Sequence, residues 1–243
     1  MHQEKLEIEM PDGKTEAYFY RDDKPLSGVL YLTDIFGVRE ANRGMAHRLA
    51  EEGYAVLMPN LFYRTSKLPI FDVEPKMGDE RVSRRLTELR DPLTLDATER
   101  DAAAYVDFLV SNHAVKPGPI AVVGFCYSGV MAMSAAASRS ERVALVATFH
   151  AGRLFTSQPS SPHHQLPRIK ARLYFGHAEN DKSMPAEAIA GFEDALKAWG
   201  GKYESETYDG ANHGWTVPDS HAYNLKEAER AFRKLTELLK ETI

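Results

Sequence analysis

One hexapeptide, Gly124–Gly129 (GFCYSG), constrains the fold of this chain more than any other feature. It contains Cys126, the single cysteine of the sequence, and it lies between the apolar run Ile120–Val123 and an alanine-rich stretch with helical character. A strand that turns directly into a helix through small residues is typical of a nucleophile elbow, where the reactive side chain stands above the sheet. The segment therefore predicts a strand-to-helix corner that carries a reactive thiol.

The residues around the thiol fit this interpretation. Gly124 and Ser128, each two positions from Cys126, supply the small side chains that such a sharp turn requires. The start of the following helix directs its free N–H groups and its dipole at the sulfur, which favours thiolate over thiol. An inert, buried cysteine is the alternative, although inert packing does not need flanking glycines. Ser128 is rejected as the nucleophile because Cys126 and Val130 would then occupy positions that need glycine-sized residues.

Composition narrows the class of protein. The 243 residues are 43% hydrophobic and 27% charged, which predicts one α/β domain over residues 1–243. The net charge of −5 and the acidic residues interleaved in the basic patch Arg81–Arg90 argue against a nucleic-acid partner and favour a solvated helix face.

The N-terminus lacks a signal-peptide core, no apolar run could span a bilayer, and one cysteine cannot form an internal disulfide. We therefore expect a cytoplasmic protein with no membrane partner.

The rest of the chain alternates between strand and helix patterns. The segments Lys5–Met10 and Glu16–Arg21 flank Pro11–Gly13 and predict an antiparallel hairpin. Further strands are predicted at Ser27–Asp34, Tyr54–Pro59, Ile120–Phe125, Ala144–His150, Arg172–Gly176 and Tyr203–Tyr208, with helices at Ala41–Glu52, Ala97–Val110, Ala186–Trp199 and His221–Glu241. This order predicts an α/β fold: a mostly parallel central sheet with antiparallel N-terminal strands and helices on both faces.

Two stretches do not fit the alternation. Leu61–Pro92 is long and proline-containing, and Gly152–Pro167 is rich in serine, proline and histidine. Long loops in a compact domain are usually functional or disordered. Both leave the sheet at the carboxyl ends of strands, the edge where open α/β sheets bind ligands. We therefore expect them to form walls or lids of a pocket.

A nucleophilic thiol needs a base, and that base needs an acid to orient it. Asp181 follows a predicted strand, and His213 follows the last one in a loop of small residues. Glu179 is a rival for the acid, although the length of strand plus turn favours Asp181. The order nucleophile, acid, histidine is that of α/β-hydrolases. The alternatives are that Asp181 caps the helix near Ala186 and that His213 is simply an exposed loop residue.

An oxyanion hole would complete the machinery. It normally uses the backbone N–H after the nucleophile and one from the loop after the third strand, here Tyr127 and Ile35. Asp34 ends that third strand close to the predicted elbow. Its carboxylate could contact the thiol directly, or it could cap the helix that follows.

Four ordered motifs together resemble the dienelactone hydrolase family over nearly the entire chain. They are Asp34–Gly37 (DIFG), Gly124–Gly129 (GFCYSG), Gly176–Asp181 (GHAEND) and Asn212–Gly214 (NHG). The resemblance implies an α/β-hydrolase fold, a triad of Cys126, Asp181 and His213, and oxyanion donors at Ile35 and Tyr127. It also implies opening of lactones or cleavage of esters through a thioester, with no metal or organic cofactor.

The resemblance has two departures. Well-studied members carry glutamate where this chain has Asp34, a residue thought to hold the resting thiol. They also carry an arginine four positions after the catalytic histidine, where this chain has Val217. The alternative candidates for binding an anionic substrate are Arg39, Arg64 and Arg153. The candidates for an apolar wall of the pocket are Phe36, Tyr63 and Trp215.

The sequence thus predicts a hydrolase of a small ester or lactone. One alternative is a catalytically idle ligand-binding or sensing protein on the same fold. Another is a redox-active thiol protein, which lacks a second cysteine to resolve a sulfenic acid. No metal site is predicted, because the histidines His150, His163, His164 and His177 show no ligand spacing. The oligomeric state is left open.

Overall fold

The strands of the computed structural model, which describes residues 1–243, form one eight-stranded sheet. They are β1 His2–Met10, β2 Gly13–Arg21, β3 Ser27–Leu32, β4 Tyr54–Pro59, β5 Ile120–Phe125, β6 Val143–Phe149, β7 Arg172–Asn180 and β8 Tyr203–Asn212. Their order is β1-β2-β4-β3-β5-β6-β7-β8. Strand β2 pairs antiparallel with both β1 and β4, and all the other pairs are parallel. The predicted fold class is confirmed.

Six α-helices cover the two faces of this sheet. They are α1 Glu40–Glu51, α2 Glu80–Arg90, α3 Leu95–Ser111, α4 Gly129–Ser138, α5 Ala186–Trp199 and α6 Leu225–Thr242. Apolar residues of α3, α4 and α5 pack on one face, and those of α1 and α6 pack on the other. None of these helices is long and apolar enough to cross a membrane.

Side-chain alternation along β5 explains how one strand supplies both cores. Val122 belongs to the core under α3 and α4, whereas Ala121 and Val123 belong to the core under α1 and α6. Successive side chains of a strand point to opposite faces, so a central strand covered on both sides is apolar throughout. All six residues of β5 are buried. The residue that follows this strand is therefore held rigidly at the carboxyl edge of the sheet.

The last two strands extend further than predicted. The ladder between β7 and β8 continues through a register shift to the pair Asn180 and Asn212. Polar side chains in these terminal residues hid the extension, because backbone pairing does not depend on side-chain polarity. As a consequence, Asp181 and His213 come directly after the ends of two neighbouring strands.

The interpretation of Leu61–Pro92 as a loop is wrong for its second half. That half contains α2, which begins after the capping carboxylate of Asp79 and buries Val82, Leu86 and Leu89. Charged residues dominate this helix, and only three apolar positions attach it to the core. The basic patch Arg81–Arg90 does lie on this helix, as predicted. The second irregular stretch is also partly ordered, since Pro162–Arg168 form a 3-10 helix.

Candidate active site

The turn at Cys126 has the strained geometry of an elbow. Cys126 has a φ of +54°, a left-handed conformation that non-glycine residues adopt rarely. A Cβ atom on Gly124 would lie 2.9 Å from the carbonyl oxygen of Ser128, and one on Gly129 would lie 2.3 Å from the Cβ of Ala151. The sharp turn and the close approach of α4 to the loop after β6 therefore both require glycine.

Ser128 supports the turn and does not face a pocket. Its side chain is fully buried. Its Oγ lies 2.8 Å from the carbonyl oxygen of Leu32 and accepts a hydrogen bond from the Phe125 N–H at 2.9 Å. The hydroxyl thus joins the ends of β3 and β5, and its bonding capacity is used by the backbone.

Three side chains from three loops meet in a line at the carboxyl edge of the sheet. His213 Nε2 lies 3.0 Å from Cys126 Sγ. On the other side of the ring, Nδ1 lies 2.6 Å from Asp181 Oδ2. The Asp181 side chain is 2% exposed and the His213 side chain 33% exposed. The acid is thus enclosed, whereas the imidazole and the half-buried thiol remain accessible.

Ser183 supports the acid and was missed in the sequence. The Oδ1 atom of Asp181 accepts hydrogen bonds from the Ser183 N–H at 2.7 Å and from its hydroxyl at 2.6 Å. The spacing Asp-x-Ser is a signal for such an aspartate turn. The rival acid Glu179 forms no hydrogen bond or ion pair with His213, and its carboxylate accepts instead from the Gly210 N–H at 2.7 Å.

These contacts set the charge of the imidazole. Burial alone would lower the pKa of His213, but hydrogen bonds to Asp181 and Cys126 outweigh it and raise the pKa to about 10. Burial likewise would raise the pKa of Asp181, and the hydrogen bonds from His213 and Ser183 outweigh it, so the pKa is lowered. The environment therefore favours an ionised aspartate beside a protonated imidazole.

The two predicted oxyanion donors belong to the turn at Cys126 and to the loop after β3. Tyr127 occupies the first helical turn after the elbow, Cys126–Ser128, where N–H groups have no acceptor within the helix. The N–H of Ile35 donates no hydrogen bond within the protein, whereas the neighbouring Phe36 N–H donates to the Asp34 carboxylate at 2.9 Å. The Ile35 N–H, in the loop after β3, is therefore free of hydrogen bonds within the protein.

The Asp34 carboxylate does not bond to the thiol. Its two oxygens lie 2.7 and 2.9 Å from the guanidinium of Arg39. The expectation that this carboxylate could hold the resting thiol is not met in the structure. Because the side chain of aspartate is one methylene shorter than that of glutamate, it bonds within its own loop.

Arg39 is not available to grip a substrate anion. Besides Asp34, its guanidinium bonds to Asp219 at 2.7 and 2.8 Å and to Asn42 at 2.7 Å. These partners occupy its donors, and Arg39 becomes a bridge between the loop after β3 and the loop after β8. We call this arrangement, Asp34–Arg39–Asp219, the loop clamp.

The hydroxyl of Tyr63 and the guanidinium of Arg64 are bonded to other residues of the scaffold. Both bond to the fully buried carboxylate of Asp101, and Arg64 bonds to Asp12 as well. Of the three arginines considered for an anion, only Arg153 has no hydrogen bond or ion pair through its guanidinium. Arg153 is exposed and lies in the loop after β6.

The other two aromatic candidates for an apolar wall, Trp215 and Phe36, lie in different environments. Trp215 is fully buried and packs against Tyr208 with ring centroids 4.9 Å apart, so it belongs to the core. Phe36 is half-buried and meets Phe71 edge to face, with centroids 6.0 Å apart. The segment that begins at Leu61 thus packs on the loop after β3.

His150, which the sequence offered only as one of four histidines without metal-ligand spacing, lies beside His213. It follows β6 with a φ of +42° and is 1% exposed. Its ring lies 5.2 Å from that of His213 and 5.1 Å from that of Trp215, and its Nε2 lies 2.7 Å from Thr216 Oγ1. Burial lowers its pKa well below the ordinary histidine value, so the ring is neutral.

A separate cavity of about 370 Å³ opens between α1 and α6. It touches Phe125, Phe149 and Thr216 but none of the three residues in the line. The thiol stands at the carboxyl edge of the sheet, whereas this cavity lies on one face of the sheet. We therefore place the reaction at the thiol and not in the cavity.

A family model for the dienelactone hydrolase family matches residues 15–243. The chain belongs to the dienelactone hydrolase family. Membership makes it a hydrolase. It is 29% identical over 190 residues to a carboxymethylenebutenolidase of Rhodococcus opacus, covering 77% of this chain and 69% of that protein. It is 25% identical over 226 residues to an Escherichia coli K12 protein provisionally named as the same enzyme, covering 91% of this chain and 79% of the relative.

Solved structures share the fold over the whole chain. A dienelactone hydrolase from Anabaena variabilis is 18% identical, with a TM-score of 0.72, and the match covers 100% of this chain and 98% of that one. A dienelactone hydrolase-like promiscuous phosphotriesterase from metagenomic libraries is 20% identical, with a TM-score of 0.80 over 99% and 98% of the two chains. At these identities the likeness shows the fold.

Proposed function

We propose that this chain hydrolyses a small ester or lactone, with Cys126 as nucleophile, His213 as general base and acid, and Asp181 as the orienting acid. The observation that carries the proposal is the continuous line from thiol to imidazole to carboxylate, with links of 3.0 and 2.6 Å, at a strained elbow. A nucleophile, a base within hydrogen-bond reach and a third group orienting the base are the signature of covalent catalysis.

In the first step, Cys126 Sγ attacks the carbonyl carbon of the substrate. His213 Nε2, 3.0 Å from the sulfur, takes the proton of the thiol, the new C–S bond forms, and the carbonyl π electrons move to oxygen. That oxyanion accepts hydrogen bonds from the backbone N–H groups of Tyr127 and Ile35. Preorganised donors of this kind typically contribute about 10²- to 10³-fold to the rate each.

In the second step, the carbonyl reforms and the C–O bond to the leaving alkoxide breaks. His213 Nε2 gives its proton to that oxygen, and an acyl thioester remains on Cys126. Water then attacks the thioester while His213 accepts a proton, and collapse releases the carboxylic acid and restores the thiol pair. For a lactone, the leaving alkoxide stays attached to the acyl group, so a single hydroxy acid is released.

Asp181 makes both proton transfers possible. Its carboxylate accepts from His213 Nδ1, which leaves Nε2 directed at the thiol. Ser183 holds the second carboxylate oxygen, so the acid cannot rotate away. The raised pKa of His213, about 10, keeps the proton on the imidazole until the leaving group needs it.

The surroundings of the thiol support a compact substrate. The half-buried ring of Phe36, backed by Phe71, offers an apolar surface beside Ile35. A negatively charged substrate would have Arg153 as its partner, since the guanidinium groups of Arg39 and Arg64 are already neutralised.

Replacing the nucleophile tests the proposal. Cys126→Ala is expected to reduce hydrolysis of 4-nitrophenyl acetate to the uncatalysed rate while the far-ultraviolet circular dichroism stays that of the wild type. Ser128→Ala is the matched control within the same motif, and its folded fraction should retain turnover because the Ser128 hydroxyl bonds only to backbone. Turnover retained by Cys126→Ala, or lost only in Ser128→Ala, would refute the assignment.

A further inference from the structure

We propose that Cys126, His213 and His150 together form a site for a soft divalent metal ion such as Zn²⁺, and that the bound ion switches the hydrolase off. One ligand atom from each of the three residues lies within 4.8 Å of the other two. Nothing in the spacing of positions 126, 150 and 213 predicts this cluster. The fold creates it by bringing the carboxyl ends of three strands together. Inhibition rests on the proposed function, whereas metal binding does not.

The donor set has the chemistry of a zinc site. One thiolate and two neutral imidazoles suit Zn²⁺, with bond lengths of about 2.3 Å to sulfur and about 2.0 Å to nitrogen. Tetrahedral ligands at those lengths lie about 3.5 Å apart, so donors already within 4.8 Å need to move only by about 1 Å. Three protein ligands leave the fourth position to water.

His150 supplies the observation that points to a ligand. The Nδ1 atom of this ring is buried and has no hydrogen-bond partner in the protein. Buried nitrogens are almost always paired, so an orphan atom beside a thiol and an imidazole needs an explanation. Its Nε2 is held by the Thr216 hydroxyl at 2.7 Å, which fixes the ring and leaves Nδ1 to act as a donor to metal.

A hydrogen bond to one ring nitrogen also holds His213 and leaves its other nitrogen for a metal. Its Nδ1 lies 2.6 Å from Asp181, so a metal at Nε2 would complete a carboxylate–histidine–metal arrangement. Such outer partners orient the imidazole and increase its basicity. The Cys126–His213 pair holds one proton, as thiol and imidazole or as thiolate and imidazolium. Formation of the S–metal and N–metal bonds releases that proton to solvent and leaves no thiolate for attack.

Two variants isolate the contribution of His150. His150→Phe keeps an aromatic ring in the core, and His150→Asn keeps a residue type that tolerates its positive φ. The matched control is His177→Asn, because His177 is also buried and also has a nitrogen without a partner, but it lies outside the cluster. Circular dichroism establishes the folded fraction of each protein.

Titration with Co²⁺ followed by displacement with Zn²⁺ measures binding without any assay of activity. The wild type and His177→Asn should show a thiolate-to-Co²⁺ charge-transfer band and intense tetrahedral d–d bands. The two His150 variants should bind Zn²⁺ more weakly by at least about 10- to 100-fold, the loss typical when a metal site loses a supporting residue. Half-inhibition of ester hydrolysis should require correspondingly more Zn²⁺, relative to each protein's own metal-free rate.

Two results would overturn the site. Equal Zn²⁺ affinity in the wild type and in both His150 variants would mean that Cys126 and His213 bind metal without His150. Co²⁺ spectra without a thiolate band would mean that the ion binds elsewhere. A wild type that shows the complete Co²⁺ spectrum but hydrolyses no ester would retain the metal site and refute the proposed function, so the two failures are distinguishable.

Discussion

At the scale of single residues, backbone strain is concentrated around the thiol. Three non-glycine residues have positive φ, namely Cys126, His150 and Arg153. Each costs about 1 to 3 kcal/mol, and such residues persist where the surrounding structure holds them for a functional purpose. The sequence indicated the strain at Cys126 through its glycine neighbours. It offered no such sign for His150 or Arg153, because their contacts come from distant segments.

A pair of substitutions tests whether Asp181 or Glu179 orients His213. Asp181→Asn should lower kcat for ester hydrolysis by a factor on the order of 10³ to 10⁴, because the amide no longer fixes the tautomer of His213. Glu179→Gln is the matched control, since it removes the charge of the neighbouring acid that bonds only to Gly210. Steady-state kinetics on one ester compares them. Similar losses in both variants would remove Asp181 from its assigned role.

At the scale of elements, the loop clamp determines how the two halves of the site face each other. Arg39 joins Asp34, in the loop after β3, to Asp219, in the loop that carries His213. Each motif could be placed at a strand end from its local pattern, but this bridge could not be predicted, because the residues of one ion pair are 180 positions apart. The same limit applies to α2, whose three apolar residues are too few to outweigh its charge in a sequence pattern.

Breaking the clamp should affect both stability and rate. Arg39→Gln leaves the buried Asp34 carboxylate unpaired, which costs about 3 kcal/mol of unfolding free energy. It should also lower kcat by about 10- to 100-fold, because small displacements of catalytic groups are costly. Urea unfolding and initial rates measure the two effects.

Arg64→Gln is the matched control for this experiment. Arg64 likewise bridges a buried aspartate, Asp101, and an exposed one, Asp12, but away from the thiol. It should lose similar stability and keep the kcat of the folded fraction. A kcat for Arg39→Gln equal to that of Arg64→Gln would show that the clamp has no part in positioning.

At the scale of the whole molecule, the alternation of strands and helices was sufficient to predict the sheet, and strand order brought the predicted residues to one edge. The bounds of β4, β5 and α5 match the expectation residue for residue. Ser183 could have been found from the Asp-x-Ser spacing, whereas the ends of β7 and β8 and the position of His150 could not be predicted. They depend on tertiary hydrogen bonds between segments, which no local pattern encodes.

The stability of the molecule should depend on pH through the His213–Asp181 pair. The pKa of His213 is raised from 6.5 to about 10, so its contribution is complete below pH 6.5 and is lost as the pH rises through about 10. The pKa of Asp181 is lowered from 3.8, so its contribution is present above that value and is lost in stronger acid. The pair therefore stabilises the fold most between these two ordinary values.

Urea unfolding of the wild type and of His213→Gln across this range provides the check. The difference in unfolding free energy should be largest near pH 5 and should shrink steadily between pH 6.5 and 10. A wild-type advantage over His213→Gln that grows from pH 6.5 to 10 would mean that the pKa of His213 is not raised by folding.

Direct detection of the acyl thioester tests the central claim most closely. The wild type is mixed with a panel of activated esters and lactones, quenched in acid within the first turnovers, and analysed by intact-mass spectrometry and peptide mapping. We predict a mass gain equal to the acyl group on the peptide that contains Cys126, absent from Cys126→Ala and released by hydroxylamine. Full-rate hydrolysis with no adduct on Cys126, or with the acyl group on another residue, would contradict the account.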